Sequence, residues 1–60
     1  MKISYKDGKA FYIKMNDVSA VKVNEEVIDF YFSFHLYTIT MSELDEGEVE
    51  KIMVEVEKIK

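Results

Sequence analysis

Residues 27–41 constrain the fold of this 60-residue chain more than any other stretch. They are dense in aromatic and β-branched residues, the types that fit a pleated, half-buried surface. Every second position is apolar in two successive runs, which predicts two strands that each bury one face. The runs are Ile28, Phe30, Phe32 and Phe34, followed by Tyr37, Ile39 and Met41. Because the apolar positions change from even to odd numbers, we expect a hairpin with a loop at Ser33–Leu36 and with Phe30 opposite Ile39.

A second hairpin is predicted near the start of the chain, where Asp7-Gly8 supplies the strongest short hairpin signal. A two-residue loop would place Ser4 opposite Phe11 and mix apolar with polar side chains. A three-residue loop over residues 6–8 places Ile3 opposite Phe11 and keeps the apolar side chains together. The pattern therefore favours a type I turn followed by a bulge, with a positive φ at Gly8.

The pattern changes at Ser42, which is a good helix N-cap with Asp45 at the capping-box position. Glycine inside a helix costs about 1 kcal/mol, so Gly47 leaves a helix start near residue 46 as an alternative. The apolar residues that follow fit one face of a helix over residues 43–59. These residues are Leu44, Val49, Ile52, Met53, Val56 and Ile59.

These patterns together predict one α+β domain over residues 1–60. Val18–Val23 is a further predicted strand, with Val21 and Val23 inward and a turn at residues 24–26. We expect an antiparallel β-sheet of four to five strands, a meander over residues 1–41, with one C-terminal helix (residues 42–60) packed on one face. The expected core comprises Ile3, Phe11, Ile13, Val21, Val23, Ile28, Phe30, Phe32, Ile39, Val49, Ile52, Met53 and Val56.

The composition limits both the sources of stability and the available chemistry. There is no cysteine, which excludes disulfides and thiolate metal sites, and the single histidine is His35. We therefore expect no cofactor and no metal. A core this small is marginal, so we expect a homo-oligomer, most simply a homodimer. No apolar run is long enough to cross a membrane and no signal-peptide pattern is seen, which predicts a cytoplasmic protein without membrane contact.

The charges of the chain are unevenly distributed around a net charge of −4. Residues 1–22 carry five lysines against two aspartates, a balance of +3, whereas residues 23–60 have a balance of −7. Arginine is absent, and an acidic chain without arginine predicts no direct binding of nucleic acid. Five acids lie close together in the sequence: Glu43, Asp45, Glu46, Glu48 and Glu50. They are either a solvated helix start that suits the helix dipole or a surface for a basic partner.

No arrangement of residues predicts catalysis, so we expect a protein that is not an enzyme. His35 falls in a predicted loop and is interpreted as a polar loop residue. The two glycines lie in different elements and form no phosphate-binding loop. Phe34 is assigned to the core with the other phenylalanines. Tyr12 and Tyr31 fall on the opposite sheet face, where they could meet a protein partner or stack on a nucleotide.

Residues 17–59 resemble the C-terminal half of bacterial pleckstrin-homology-like domains in their order of three strands and a helix. The segments that carry this resemblance are Asp17-Val-Ser-Ala-Val-Lys-Val, the aromatic strand, Tyr37-Thr-Ile-Thr and Glu48-Val-Glu-Lys-Ile. In composition, the chain resembles short lysine- and glutamate-rich proteins encoded by phages and mobile elements, some of which inhibit host defence systems. Neither resemblance implies particular site residues.

Two functions are therefore expected, in different classes. The first is a non-catalytic protein-interaction module, such as a phage- or mobile-element-encoded inhibitor that binds a host protein with a basic surface. The alternative is a homo-oligomeric module that binds a small molecule or nucleotide through its sheet aromatics.

Overall fold

The computed structural model describes residues 1–58 and confirms the predicted α+β class. The five strands form two antiparallel sheets instead of one continuous meander. The two-stranded sheet contains β1 (Lys2–Ser4) and β2 (Ala10–Tyr12). The three-stranded sheet contains β3 (Val18–Val23), β4 (Val27–Phe32) and β5 (Leu36–Thr40), in that order. A short 3₁₀ helix at Met15–Asp17 lies between β2 and β3, and a second one at Met41–Glu43 follows β5. Helix α1 spans Glu48–Glu57.

The first hairpin has the register that the apolar pattern predicts. Ile3 lies opposite Phe11, and the three-residue loop is closed by hydrogen bonds between Tyr5 and Lys9 and between Tyr5 and Gly8. The Tyr5 N–H donates to the Lys9 carbonyl at 2.9 Å, and the Gly8 N–H donates to the Tyr5 carbonyl at 3.0 Å. Gly8 has a φ of 90°, which is accessible to glycine at little cost. The bulged loop is therefore confirmed.

The second hairpin, between β4 and β5, is tighter than predicted. Phe30 lies opposite Tyr37, and Ile39 lies opposite Ile28, so the register differs from the expected one by two residues. The Phe32 N–H donates to the His35 carbonyl at 2.8 Å, which leaves only two residues in the loop. The shift keeps the buried face of each strand and shortens the loop to Ser33 and Phe34. The assignment of Phe34 to the core is wrong, because its side chain is 98% exposed.

The helix begins five residues later than a Ser42 cap implies. Gly47, with a φ of 84°, precedes the first helical residue, and no side chain caps this end. The preceding segment pairs with β1 instead: Leu44 forms a bridge with Tyr5, and the Asp45 N–H donates to the Ser4 carbonyl at 3.0 Å. The prediction of a helix starting at residue 42 or 43 is therefore wrong, because this long-range pairing competes with the local capping pattern. Residues 59 and 60, including the expected apolar position Ile59, lie outside the described residues.

One hydrophobic core joins both sheets and the helix. Its buried members are Ile3, Ile13, Ile28, Phe30, Ile39, Leu44 and Ile52. Most other predicted core residues pack against this cluster while half-buried, namely Phe11, Val21, Phe32, Val49, Met53 and Val56. Val23 is a wrong core assignment, because it ends an edge strand and stays 40% exposed. Within residues 1–58, no helix is both long and apolar enough to cross a membrane.

Candidate functional site

The five clustered acids lie in three different local structures. Glu43 belongs to a 3₁₀ helix, Asp45 and Glu46 lie in the connecting segment, and Glu48 and Glu50 belong to the first turn of α1. Four of the five side chains are exposed, the exception being Glu48. These acids therefore do not form one helix face, although the exposed ones surround the helix start with negative charge.

Glu48 connects α1 to β1. Its Oε1 atom accepts a hydrogen bond from the Ser4 N–H at 2.6 Å and contacts the Lys51 Nζ at 2.9 Å. Lys51 also donates to the Lys2 carbonyl at 2.6 Å, so the ion pair lies against the edge of β1. The bond from Lys51, followed by the one from the Ser4 N–H, holds the pKa of the Glu48 carboxyl below its usual value. Glu48 thus helps to hold α1 in place against β1.

Tyr12 and Tyr31 are both exposed but lie in different sheets. Tyr12 is the last residue of β2 and is 71% exposed, whereas Tyr31 lies on the central strand β4 and is 37% exposed. The strand pairing places Tyr31 between Ala20 and Leu36. Since the register brings Tyr12 next to none of these residues, the two tyrosines do not form a single stacking site.

The outward face of the three-stranded sheet carries an apolar surface at its hairpin end. We call this surface the hairpin-tip patch and define it as Tyr31, Phe34 and Leu36. Tyr31 and Leu36 are directly opposite each other, and Phe34 lies in the turn that joins their strands. Leu36 is 50% exposed, and Phe34 is almost wholly exposed. No described residue covers these side chains enough to bury them.

The next row of the same face is polar. Lys22 and Asp29 are paired across β3 and β4, and Thr38 is opposite Asp29 on β5. The Thr38 hydroxyl donates to the Asp29 carboxylate at 2.7 Å. One cation and one anion therefore lie side by side next to the hairpin-tip patch.

A groove of about 540 Å³ runs between β2 and β5. Phe11 from β2 and Tyr37 from β5 line it, and their rings stack with centroids 4.0 Å apart. Burial raises the pKa of the Tyr5 phenol, which also lines the groove, and the nearby Tyr37, Glu43 and Asp7 raise this pKa further. We call this feature the β5 groove.

His35 has a packing contact in the hairpin loop. Its imidazole stacks on the Phe32 ring with centroids 4.6 Å apart and planes 12° from parallel. The ring is exposed, in agreement with its interpretation as a loop residue.

Sequence reasoning missed Phe34, Leu36 and Asp7 as surface candidates. A signal for the first two was present, because a shorter loop also pairs apolar residues, Phe30 with Tyr37 and Ile28 with Ile39. That register would have placed Leu36 opposite Tyr31 on the outward face, with Phe34 beside them in a two-residue turn. Asp7 gave no comparable signal, since its proximity to Glu43 depends on contacts between distant segments.

Among residues 1–58, no three histidine, aspartate or glutamate side chains are grouped closely enough to hold a metal ion.

The comparisons with known proteins leave the family of the chain open. No protein-family model matches the chain, and neither a curated protein nor a solved structure matches it significantly.

Proposed function

We propose that this chain is a small, non-catalytic protein-interaction module that acts as a homodimer in the cytoplasm. The observation that carries the proposal is the hairpin-tip patch, with a phenylalanine that is 98% exposed beside an exposed leucine and tyrosine. Aromatic and large apolar side chains in the centre of a surface are typical of protein interfaces.

A second copy of the chain is the proposed occupant of the hairpin-tip patch. The outward sheet face is self-complementary in charge, because Lys22 and Asp29 lie side by side next to the apolar row. A two-fold axis through this face would pair each lysine with the aspartate of the other copy while the apolar rows meet. Burial of the patch would also add buried apolar area to a chain whose core has only seven buried residues in its described part.

The dimer is tested by analytical ultracentrifugation of three proteins. Wild type is compared with a Phe34→Ser/Leu36→Ser variant and with Val54→Ser, a matched control on the helix whose valine is 55% exposed. We expect dimers for wild type and control, and a folded monomer for the double variant. A wild-type monomer of 7.1 kDa at every concentration would overturn the dimer.

The exposed acids support a partner protein with a basic surface. Glu43, Asp45, Glu46 and Glu50 stay exposed around the start of α1, and residues 23–50 contain no lysine or arginine to neutralise them. Such a field speeds the encounter with a basic protein and makes the association sensitive to salt. We propose that the partner is a host protein, that the chain is a phage- or mobile-element-encoded inhibitor of it, and that the acids occupy a surface otherwise used by nucleic acid.

This partner is tested with matched charge reversals. Proteins captured from a candidate host on the immobilised chain are identified, purified and measured for association rate at low and physiological salt. Glu46→Lys/Glu50→Lys is compared with Glu25→Lys/Glu57→Lys, which changes the net charge equally at exposed sites elsewhere. We expect the first pair to lower the association rate more than the second. Equal effects of the two double substitutions would indicate that the acids are only a solvated surface and would contradict the proposed docking site.

A further inference from the structure

We propose that the β5 groove binds an extended peptide segment of a partner protein, which adds to β5 as a fourth strand. A lysine or arginine of this segment would contact Asp7 and Glu43 at one end of the groove. The inference rests on the proposed interaction function and names the partner element that the chain would recognise.

The outer edge of β5 has backbone groups that are available for pairing. Two hydrogen bonds, one at each end of the β4–β5 pairing, show which residue pairs are hydrogen-bonded. The Phe32 N–H donates to the His35 carbonyl, and the Met41 N–H donates to the Glu26 carbonyl. Since hydrogen-bonded and non-hydrogen-bonded pairs alternate, the N–H and C=O groups of Leu36, Thr38 and Thr40 point away from β4. β5 pairs with no other strand among residues 1–58.

The β5 edge lacks the features that usually prevent strand addition. Its sequence, Leu-Tyr-Thr-Ile-Thr, has no charge, proline or glycine, and its register with β4 has no irregularity. By contrast, the opposite edge strand β3 carries Lys22 and a register shift between Val18 and Ala20. Charged residues and bulges are the devices by which natural sheets protect their edges. The contrast selects β5 as the edge that is open to pairing.

The charges around the β5 groove indicate which peptide it would accept. The Lys6 N–H donates to the Glu43 carbonyl at 3.0 Å, so the first hairpin loop, with Asp7, lies at the Thr40 end of β5. Asp7 and Glu43 both line the groove, and Lys9 is the one cation among its lining residues. The net negative charge at this end favours a basic side chain, while Phe11 and Tyr37 offer an aromatic surface to an apolar one.

A single extended segment fits the β5 groove better than a second copy of the chain does. β2 lines the groove alongside β5, so a second copy would bring its own β2 to the same place. A free peptide has no β2 of its own and therefore avoids this overlap. Strand addition also gives affinity through main-chain hydrogen bonds, while side-chain pockets provide specificity.

The test uses displayed random octapeptides as the probe. Peptides are selected on wild-type protein and are afterwards tested for binding to Thr40→Pro. The substitution removes an N–H that points away from β4, at a residue whose φ of −85° is close to the value that proline requires. Enriched peptides are then synthesised, and their dissociation constants are measured by fluorescence anisotropy. Asp7→Asn/Glu43→Gln tests the acids, and Phe34→Ser, at a residue that does not line the β5 groove, serves as the control on the other surface.

The expected result is a set of extended peptides with a lysine or arginine near one end. Thr40→Pro should weaken their binding by about tenfold, the effect of one lost hydrogen bond. Asp7→Asn/Glu43→Gln should weaken it by about threefold, as for exposed charge pairs. Phe34→Ser should bind normally, so failure of the groove and failure of the dimer are distinguishable. No enrichment, or equal binding by Thr40→Pro and wild type, would overturn the inference. So would loss of the dimer in Thr40→Pro without peptide binding by wild type, because β5 would then bind a second copy.

Discussion

The different environments of Ile52 and Val54 show how strongly single positions determine stability in this chain. The two residues lie two positions apart in α1, but Ile52 is fully buried and Val54 is more than half exposed. We expect Ile52→Ala to lower the free energy of unfolding by about 2–5 kcal/mol, because it leaves a cavity. Val54→Ala should change it by less than about 0.5 kcal/mol. Urea unfolding at equal protein concentration measures both values.

This comparison also tests the helix itself. The alternation in Val54-Glu-Val-Glu is compatible with a strand, in which Ile52, Val54 and Val56 would share a face. Similar losses of stability for the two alanine variants would therefore contradict the helical assignment of this segment.

Glu48 is the residue whose protonation should couple most directly to folding. Its pKa in the folded protein is lowered by the bonds from Lys51 and the Ser4 N–H, so its stabilising contribution is present above the ordinary glutamate pKa. The contribution is lost as the pH falls through the lower pKa of the folded state. Glu48→Gln should thus reduce stability at neutral pH and flatten the decrease toward acid. Glu50→Gln, at an exposed neighbouring position, is the control, and urea unfolding between about pH 3 and pH 7 is the measurement. A Glu48→Gln profile parallel to that of wild type would contradict this role.

At the scale of the elements, the start of α1 gives a clear test of the structure. Ser42 has the sequence of an N-cap but lies in a 3₁₀ helix, six residues before the first residue of α1. Ser42→Ala should therefore cost less than about 0.5 kcal/mol, whereas loss of a true cap costs about 1 kcal/mol. Gly47→Ala should cost about 1–2 kcal/mol, because Gly47 has a φ of 84°. Thermal or urea unfolding compares the two variants, and a larger loss for Ser42→Ala would place the helix start at residue 43.

The elements also show why some predictions from sequence succeed. In the first hairpin, only one of the two loop lengths considered pairs Ile3 with Phe11, so the apolar pattern determines the turn. In the second hairpin, two registers pair apolar residues, because Phe30 can face either Tyr37 or Ile39. The structure adopts the tighter one. Periodicity specifies which face of a strand is buried, but it does not choose between registers that differ by two residues.

The parts of the candidate site that sequence does not predict depend on contacts between distant segments. Glu48 is held by the N–H of Ser4, 44 residues away, and Leu44 pairs with Tyr5. The same contacts place Asp7 near Glu43 and thereby produce the acidic end of the β5 groove. Local patterns identify the acids and aromatics as candidates, but they do not show which residues the fold uses internally.

At the scale of the whole molecule, dimer formation should make thermal stability depend on protein concentration. If unfolding is coupled to dissociation, a hundredfold dilution lowers the free energy of unfolding by about 2.7 kcal/mol per dimer. This corresponds to a decrease of about 5–10 °C in Tm for a chain of this size. Phe34→Ser/Leu36→Ser should melt at a lower temperature that does not change on dilution, because it unfolds as a monomer. Val54→Ser should keep the wild-type dependence. Calorimetry or circular dichroism from about 1 to about 100 μM measures the effect. A wild-type Tm that is constant over this range would show that the small core is sufficient without a partner and would leave the hairpin-tip patch free for a different protein.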